Sequence, residues 1–149
     1  FLFSRISECT IRRISEFGPQ ELTNTAWAFA SLGVRTDRLF EVVGDECMAK
    51  MRHFNTQNIT NLAWAYTHLA VDCPELLAAI ARAAHERIAD MNGQDLAQLA
   101  LSLVFVRGHE EKEAPLFGTR ETTMSLVREV TVAMVRRLQS NQMAYPDDA

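Results

Sequence analysis

Four basic residues recur at one position of a repeating sequence pattern, and their charge makes them candidate ligands for phosphate. They are spaced by 37, 37 and 50 residues: Arg13, Lys50, Arg87 and Arg137. If the repeats are stacked helices about 8–10 Å apart, these side chains form a cationic row that suits the phosphate backbone of single-stranded RNA. Each also lies in the last turn of a predicted helix, where a cation interacts favourably with the helix dipole. The sequence leaves both roles open.

A column of side-chain amides recurs in the second half of each repeat: Asn24, Asn61 and Gln98. Buried amides need hydrogen-bond partners, and amides one repeat apart can bond to each other along the stack. The same groups have the donors and acceptors that read base edges. Because the flanking positions are apolar, we favour a structural ladder between repeats over base recognition. Gln20, Gln57 and Gln94 pose the same question in the first turn of these helices.

Two tryptophans, Trp27 and Trp64, also lie one repeat apart. Aromatic side chains can stack on nucleobases. However, the segments around them are almost free of charge: the only charged residue in 19–32 is Glu21, and 56–69 has none. A helix with so few charges is usually interior, so we interpret the tryptophans as packing residues.

Groupings of residues that could support catalysis are almost absent. His85-Glu86 lacks the second histidine of a zinc-protease helix, and no glycine-rich phosphate loop or GxSxG elbow occurs. The three cysteines, Cys9, Cys47 and Cys73, form no CxxC pair. We therefore expect a protein that is not an enzyme, with no metal and no cofactor.

The elements that position these residues follow from composition and repetition. The chain has 149 residues, 48% hydrophobic, and a net charge of −4, and no apolar run approaches the length of a membrane span. A gapless 37-residue offset aligns many apolar positions in three copies, for example Leu2, Leu39 and Leu76. The sequence predicts an all-α fold, an α-solenoid of two-helix repeats with a 37-residue period and about three and a half repeats.

Within each repeat the second helix has a clear start signal. Gly18, Asn55 and Asn92 share one column of N-cap residues, and three positions later come Glu21, Asn58 and Asp95. Breaks are expected near 16–19, 53–56 and 90–93. The buried faces of these helices should include Leu22, Ala26, Phe29, Ile59, Ala63, Tyr66, Leu96 and Ala100.

The repeats divide the chain into five segments. Repeats 1, 2 and 3 are predicted at residues 1–38, 39–75 and 76–108. A polar segment, 109–122, is predicted to be an inserted loop because it is rich in charge and contains Pro115 and Gly118. Residues 123–149 are predicted to be a partial repeat 4.

The second helices carry a recognisable signature. Residues 18–30, GPQELTNTAWAFA, resemble the signature of octotricopeptide-like repeats, which often precede a RAP domain. Residues 57–66, QNITNLAWAY, repeat it, and 94–101, QDLAQLAL, are a weaker copy. The resemblance extends to about Val106, and no RAP-like module is visible. It implies an organellar protein, in mitochondrion or plastid, that binds RNA.

From these observations we expect an RNA-binding helical-repeat protein that acts in organellar RNA metabolism or translation. Its expected partner is single-stranded organellar RNA, with ribosomal RNA among the candidates, and no membrane insertion is expected. The alternative is a protein–protein scaffold within an organellar complex, such as a mitochondrial ribosome or a photosynthetic assembly. Concave solenoid surfaces bind proteins as readily as nucleic acids, and the negative net charge fits that use.

Overall fold

Seven α-helices and three short 3-10 turns account for nearly all of the chain that the structure describes. This computed structural model describes residues 2–107, 117 and 119–144, with side chains for 2–103, 117 and 119–140. The helices are α1 (Leu2–Arg13), α2 (Pro19–Ser31), α3 (Asp37–Lys50), α4 (Thr56–His68), α5 (Pro74–Arg87), α6 (Gly93–Arg107) and α7 (Arg120–Ala144). The 3-10 turns are Ile14–Glu16, Met51–His53 and Ile88–Asp90. The predicted all-α fold is confirmed, and the helices pack as a stack of two-helix units.

The three second helices, α2, α4 and α6, start 37 residues apart, because each start is fixed by its local sequence. At α4 the backbone N–H of Asn58 donates to the Asn55 side chain at 2.8 Å, and the Asn55 N–H donates back to Asn58 at 3.2 Å. Asn92 and Asp95 make the same reciprocal pair at α6, at 2.9 and 3.3 Å. At α2 the N-cap is a glycine, so only the bond to the Glu21 carboxylate forms. These caps are the ones that the sequence predicts.

The core lies between these second helices and the first helices that flank them. Its predicted members are buried: Leu22, Ala26, Phe29, Ile59, Ala63, Tyr66 and Leu96. Ala100 is only half-buried, so that expectation is wrong. The Tyr66 hydroxyl donates to the Phe40 carbonyl at 2.6 Å, and the two rings meet edge to face at 5.1 Å. Helix α4 is thereby anchored to α3.

The two rows of helices differ in how closely they pack. Helices α2, α4 and α6 contact one another far more extensively than α1, α3, α5 and α7 do. We call the closely packed second helices, α2, α4 and α6, the inner row and the first helices, α1, α3, α5 and α7, the outer row.

The fourth unit departs from the first three. Helix α7 begins at Arg120, so the last three residues of the predicted loop are helical; the rest of that loop, apart from Phe117 and Thr119, lies outside the described residues. Thr119 and Thr122 cap this helix through reciprocal backbone-to-hydroxyl bonds of 2.8 and 3.1 Å. Phe117 is fully buried. Helix α7 also runs on past Arg137, whereas the earlier first helices give way to a 3-10 turn at the matching position.

Candidate nucleic-acid interface

Lys50, the second member of the cationic column, is bound to the preceding repeat. Its Nζ donates to the carbonyl oxygens of Ser15 at 3.0 Å and Phe17 at 2.7 Å, in the connection between α1 and α2. It also forms an ion pair with Glu46 at 2.7 Å, one turn earlier in α3. The ammonium group thus joins α3 to the α1–α2 connection.

Arg87 and Arg137 repeat this contact one and two units further along. Arg87 donates to the carbonyls of Phe54 and Arg52, the latter at 3.3 Å. Arg137 donates to the carbonyl of Met91 and, at 3.5 Å, to that of Ala89. The accepting positions are themselves 37 residues apart. We call Lys50, Arg87 and Arg137 the inter-repeat cations.

Arg13, the first member of the column, has a different environment. It is exposed and pairs with Glu16, at 2.7 Å between Nη2 and Oε2. The hydrogen bond and the charge of Glu16 raise the pKa of Arg13, and those of Arg13 lower the pKa of Glu16. Water screens this exposed pair, so it contributes little to stability.

The structure gives the column a contact that neither interpretation made from the sequence includes. Arg13, Lys50 and Arg87 do lie in the last turns of their helices, as in the dipole interpretation, and Arg137 does not. The inter-repeat cations also bind carbonyls of the preceding repeat. Donors that already bind carbonyls are less available to phosphate. A phosphate-binding role for Arg13, Lys50, Arg87 and Arg137 stays a prediction.

The two tryptophans differ in burial: the interpretation as a packing residue is wrong for Trp27, which is exposed, whereas Trp64 is partly buried and packs against the core. Trp27 is 47% exposed and Trp64 is half-buried. Helix α2 buries Leu22, Ala26 and Phe29, and Trp27 points away from that face. The low charge of α2 accompanies a neutral, partly exposed surface, whereas that of α4 accompanies a largely buried helix with a partly exposed neutral edge.

The amides lie on the same surface as the tryptophans. Asn24 is exposed, and Asn61 and Gln98 are half-buried. Among the residues described, no hydrogen bond joins any two of these amides, so the favoured structural ladder does not form. Their side chains are consequently available to a ligand.

Together these positions form one continuous strip along the inner row, which we call the inner face. Each second helix contributes residues at i, i+4 and i+7, which share one side of a helix. The inner face consists of Gln20, Asn24 and Trp27 in α2, Gln57, Asn61 and Trp64 in α4, and Gln94, Gln98 and Leu101 in α6. The sequence signal for such a surface is the recurrence of glutamine and a second amide in all three helices, with tryptophan at the third position in α2 and α4.

The inner face carries no carboxylate or guanidinium among its residues. The two acidic residues nearest to it in sequence, Glu21 and Asp95, are occupied at helix starts. Glu21 accepts the Gly18 N–H at 3.0 Å. Asp95 is buried and accepts the hydroxyl of Thr56 from the preceding repeat at 2.7 Å. The surface offers hydrogen bonds and ring faces rather than charge.

Over the described part of the chain, no three His, Cys, Asp or Glu side chains are grouped so that they could bind a metal ion. None of the helices described here is long and apolar enough to span a bilayer.

Comparison with known proteins places most of the chain within a family model. The model of a family described as RNA-editing substrate-binding complex 6 protein matches residues 2–137, which is most of the chain. No curated protein and no solved structure matches. The resemblance to octotricopeptide-like repeats stays a prediction beside this match.

Proposed function

The chain belongs to the RNA-editing substrate-binding complex 6 protein family, and from this premise we propose that it binds RNA as a non-catalytic component of an RNA-editing complex. We place the RNA along the inner face of α2, α4 and α6. The observation that carries this proposal is the neutral, solvent-accessible strip of amides that recurs once per repeat, with a tryptophan beside it in α2 and α4.

The chemistry of the inner face fits the bases of a single strand. Side-chain amides carry a donor and an acceptor side by side, as the edges of unpaired bases do. Other helical RNA-binding repeats present one base to each repeat, and a helix spacing of about 8–10 Å allows this. Three second helices would contact about three nucleotides in this way.

The absence of charge on the inner face gives this proposal a distinctive salt dependence. A strand held by its phosphates releases counterions, and its affinity falls with salt at a slope of about −0.7 per contact. A strand held by its bases on a neutral surface loses much less affinity as salt rises. If the four cations of the column grip the backbone instead, a slope of roughly −3 is expected.

A protein-binding role is the second candidate function. The family description names a complex, and α7 exposes large apolar side chains on the outer row, namely Val132, Val135 and Leu138. Such side chains are typical of surfaces that other proteins cover. In a pull-down from a reconstituted editing complex, changing all three to Ser should release the chain without altering its RNA affinity.

The organellar location stays a prediction from the sequence resemblance. The family match concerns RNA editing and lends no support to a plastid. Imaging of the tagged protein with a mitochondrial marker tests the mitochondrial assignment directly.

The central experiment measures the affinity of the chain for a fluorescein-labelled single-stranded RNA of mixed sequence by anisotropy. Changing Asn24, Asn61 and Gln98 together to Ala removes the amides without creating large cavities, since all three reach the surface. We expect the affinity to fall about tenfold or more, at roughly 0.5–1.5 kcal/mol for each lost hydrogen bond. Gln139→Ala is the matched control, because it removes an exposed amide from the outer row.

Two results would contradict the proposal. One is RNA affinity that the triple variant retains in full while circular dichroism shows the native helix content. The other is an equal loss of affinity in Gln139→Ala, since that residue lies on α7, away from the inner face.

A further inference from the structure

The two tryptophans of the inner face and one histidine form an array of rings, and this array crosses the boundary between two repeats. The ring centroids of Trp27 in α2 and Trp64 in α4 are 6.3 Å apart, with their planes inclined by 37°. His68, one turn after Trp64, stacks on it at 4.6 Å and 16°. Trp64 is thus supported from its own helix, and Trp27 is the outermost ring of the array.

Trp27 is exposed more than an aromatic ring of its size usually is. Nearly half of its surface, 47%, is accessible. Tryptophans are seldom fully buried, but on average they are highly buried. Exposed tryptophans are common where a ring or an apolar group of a ligand is bound.

The neighbours of the ring indicate what kind of ligand binds there. Asn24 precedes Trp27 by three residues, and Asn61 precedes Trp64 by the same spacing, so each ring has an amide beside it on the same side of its helix. Neither amide is bonded to another residue of the described chain. A planar ligand that stacks on Trp27 could therefore receive hydrogen bonds at its edge.

We propose that Trp27 is a stacking site for one unpaired nucleobase of single-stranded RNA, with Trp64 and His68 as the rings behind it and Asn24 at the edge of the base. This inference rests on the proposed function and adds the residue and the mode of contact. An aromatic ring face with an adjacent amide suits a base, which combines a π-face with a polar edge. A protein segment would need a wider apolar surface, whereas amides border this ring.

The chain allows this contact to be observed at a single residue. Trp27 and Trp64 are its only two tryptophans, so Trp64→Phe leaves Trp27 as the only tryptophan emitter and keeps an aromatic ring behind it. A base that stacks on indole quenches its fluorescence. The probe is an eight-nucleotide oligoadenylate, single-stranded or annealed to oligouridylate.

Titration of Trp64→Phe with the single strand should quench Trp27 emission with the same midpoint as the anisotropy of a labelled strand. The duplex should not quench, because its bases are paired and stacked. Two variants of similar size separate stacking from simple apolar contact. Trp27→Phe should retain most of the affinity, and Trp27→Leu should weaken it roughly 5- to 150-fold. Leu138→Ala, which truncates an exposed apolar residue of α7, should leave it unchanged.

The outcomes separate this inference from the proposed function. If the strand binds but leaves Trp27 emission unchanged, and Trp27→Leu binds normally, the stacking site is wrong and RNA binding stands. If the unmodified chain binds no RNA at all, the proposed function fails and this inference fails with it. If Trp27→Leu binds RNA normally but no longer joins a reconstituted editing complex, Trp27 contacts protein, and the inference is overturned.

Discussion

The cationic column and the tryptophan pair both recur at the spacing of the repeats, but their side chains lie in different environments in the fold. The inter-repeat cations look like ligands for phosphate, yet they bind carbonyls of the preceding repeat. The tryptophans look like core residues, yet Trp27 is exposed and Trp64, which packs against the core, is only partly buried beside it. The comparison shows that residues recurring every 37 residues form a column along the stack. The spacing alone does not reveal whether that column faces the interior, a neighbouring repeat or solvent.

The largest expected effect is on stability, and it comes from comparing a residue on the buried face of α2 with one on its exposed face. Phe29 is buried and meets Phe3 edge to face at 5.8 Å. Truncation of Phe29 to Ala should lower the free energy of unfolding by about 3–5 kcal/mol, because it leaves a cavity. Trp27→Ala should cost only about 1 kcal/mol, since half of the ring is already in water. Urea unfolding followed by circular dichroism measures both, and equal losses would show that the two residues share one core.

A smaller effect on stability is expected when two members of the cationic column, Arg87 and Arg13, are compared. Arg87→Met keeps the apolar stem but removes the donors to the Phe54 and Arg52 carbonyls. The free energy of unfolding should fall by about 1.5–3 kcal/mol. The same change at Arg13 should have no measurable effect, because that side chain is exposed and, within the described part of the chain, pairs with Glu16 alone. If Arg87→Met matches the unmodified chain in stability, the inter-repeat contacts do not hold the stack together.

The local features of the fold could be predicted from the sequence because each depends on a few neighbouring residues. The cap formed by Asn55 and Asn58 needs only residues three apart, and the structure shows it as predicted. The 37-residue spacing of the starts of α2, α4 and α6 follows from such signals. The start of α7 was missed because its cap, Thr119 with Thr122, lies within a polar segment that resembles a loop.

The candidate site was harder to predict because it depends on which face of each helix is buried and which is exposed. The near absence of charge in α2 and α4 is compatible with burial or with a neutral surface. Only the packing of α2 on α4 decides between them, and it buries Ala26 and Ala63 instead of the tryptophans. Similarly, no pattern within one repeat reveals that Lys50 reaches carbonyls 33 and 35 residues earlier.

The most direct test of the account identifies the residues that RNA touches. Single-stranded RNA containing 4-thiouridine is cross-linked to the intact chain by light, and tryptic peptides are sequenced by mass spectrometry. The account predicts cross-links in peptides 14–35 and 53–82, localised to Trp27, Trp64 and their amide neighbours. Cross-links confined to peptides 39–50 and 83–87, which end at Lys50 and Arg87, would contradict it and assign RNA binding to the cationic column.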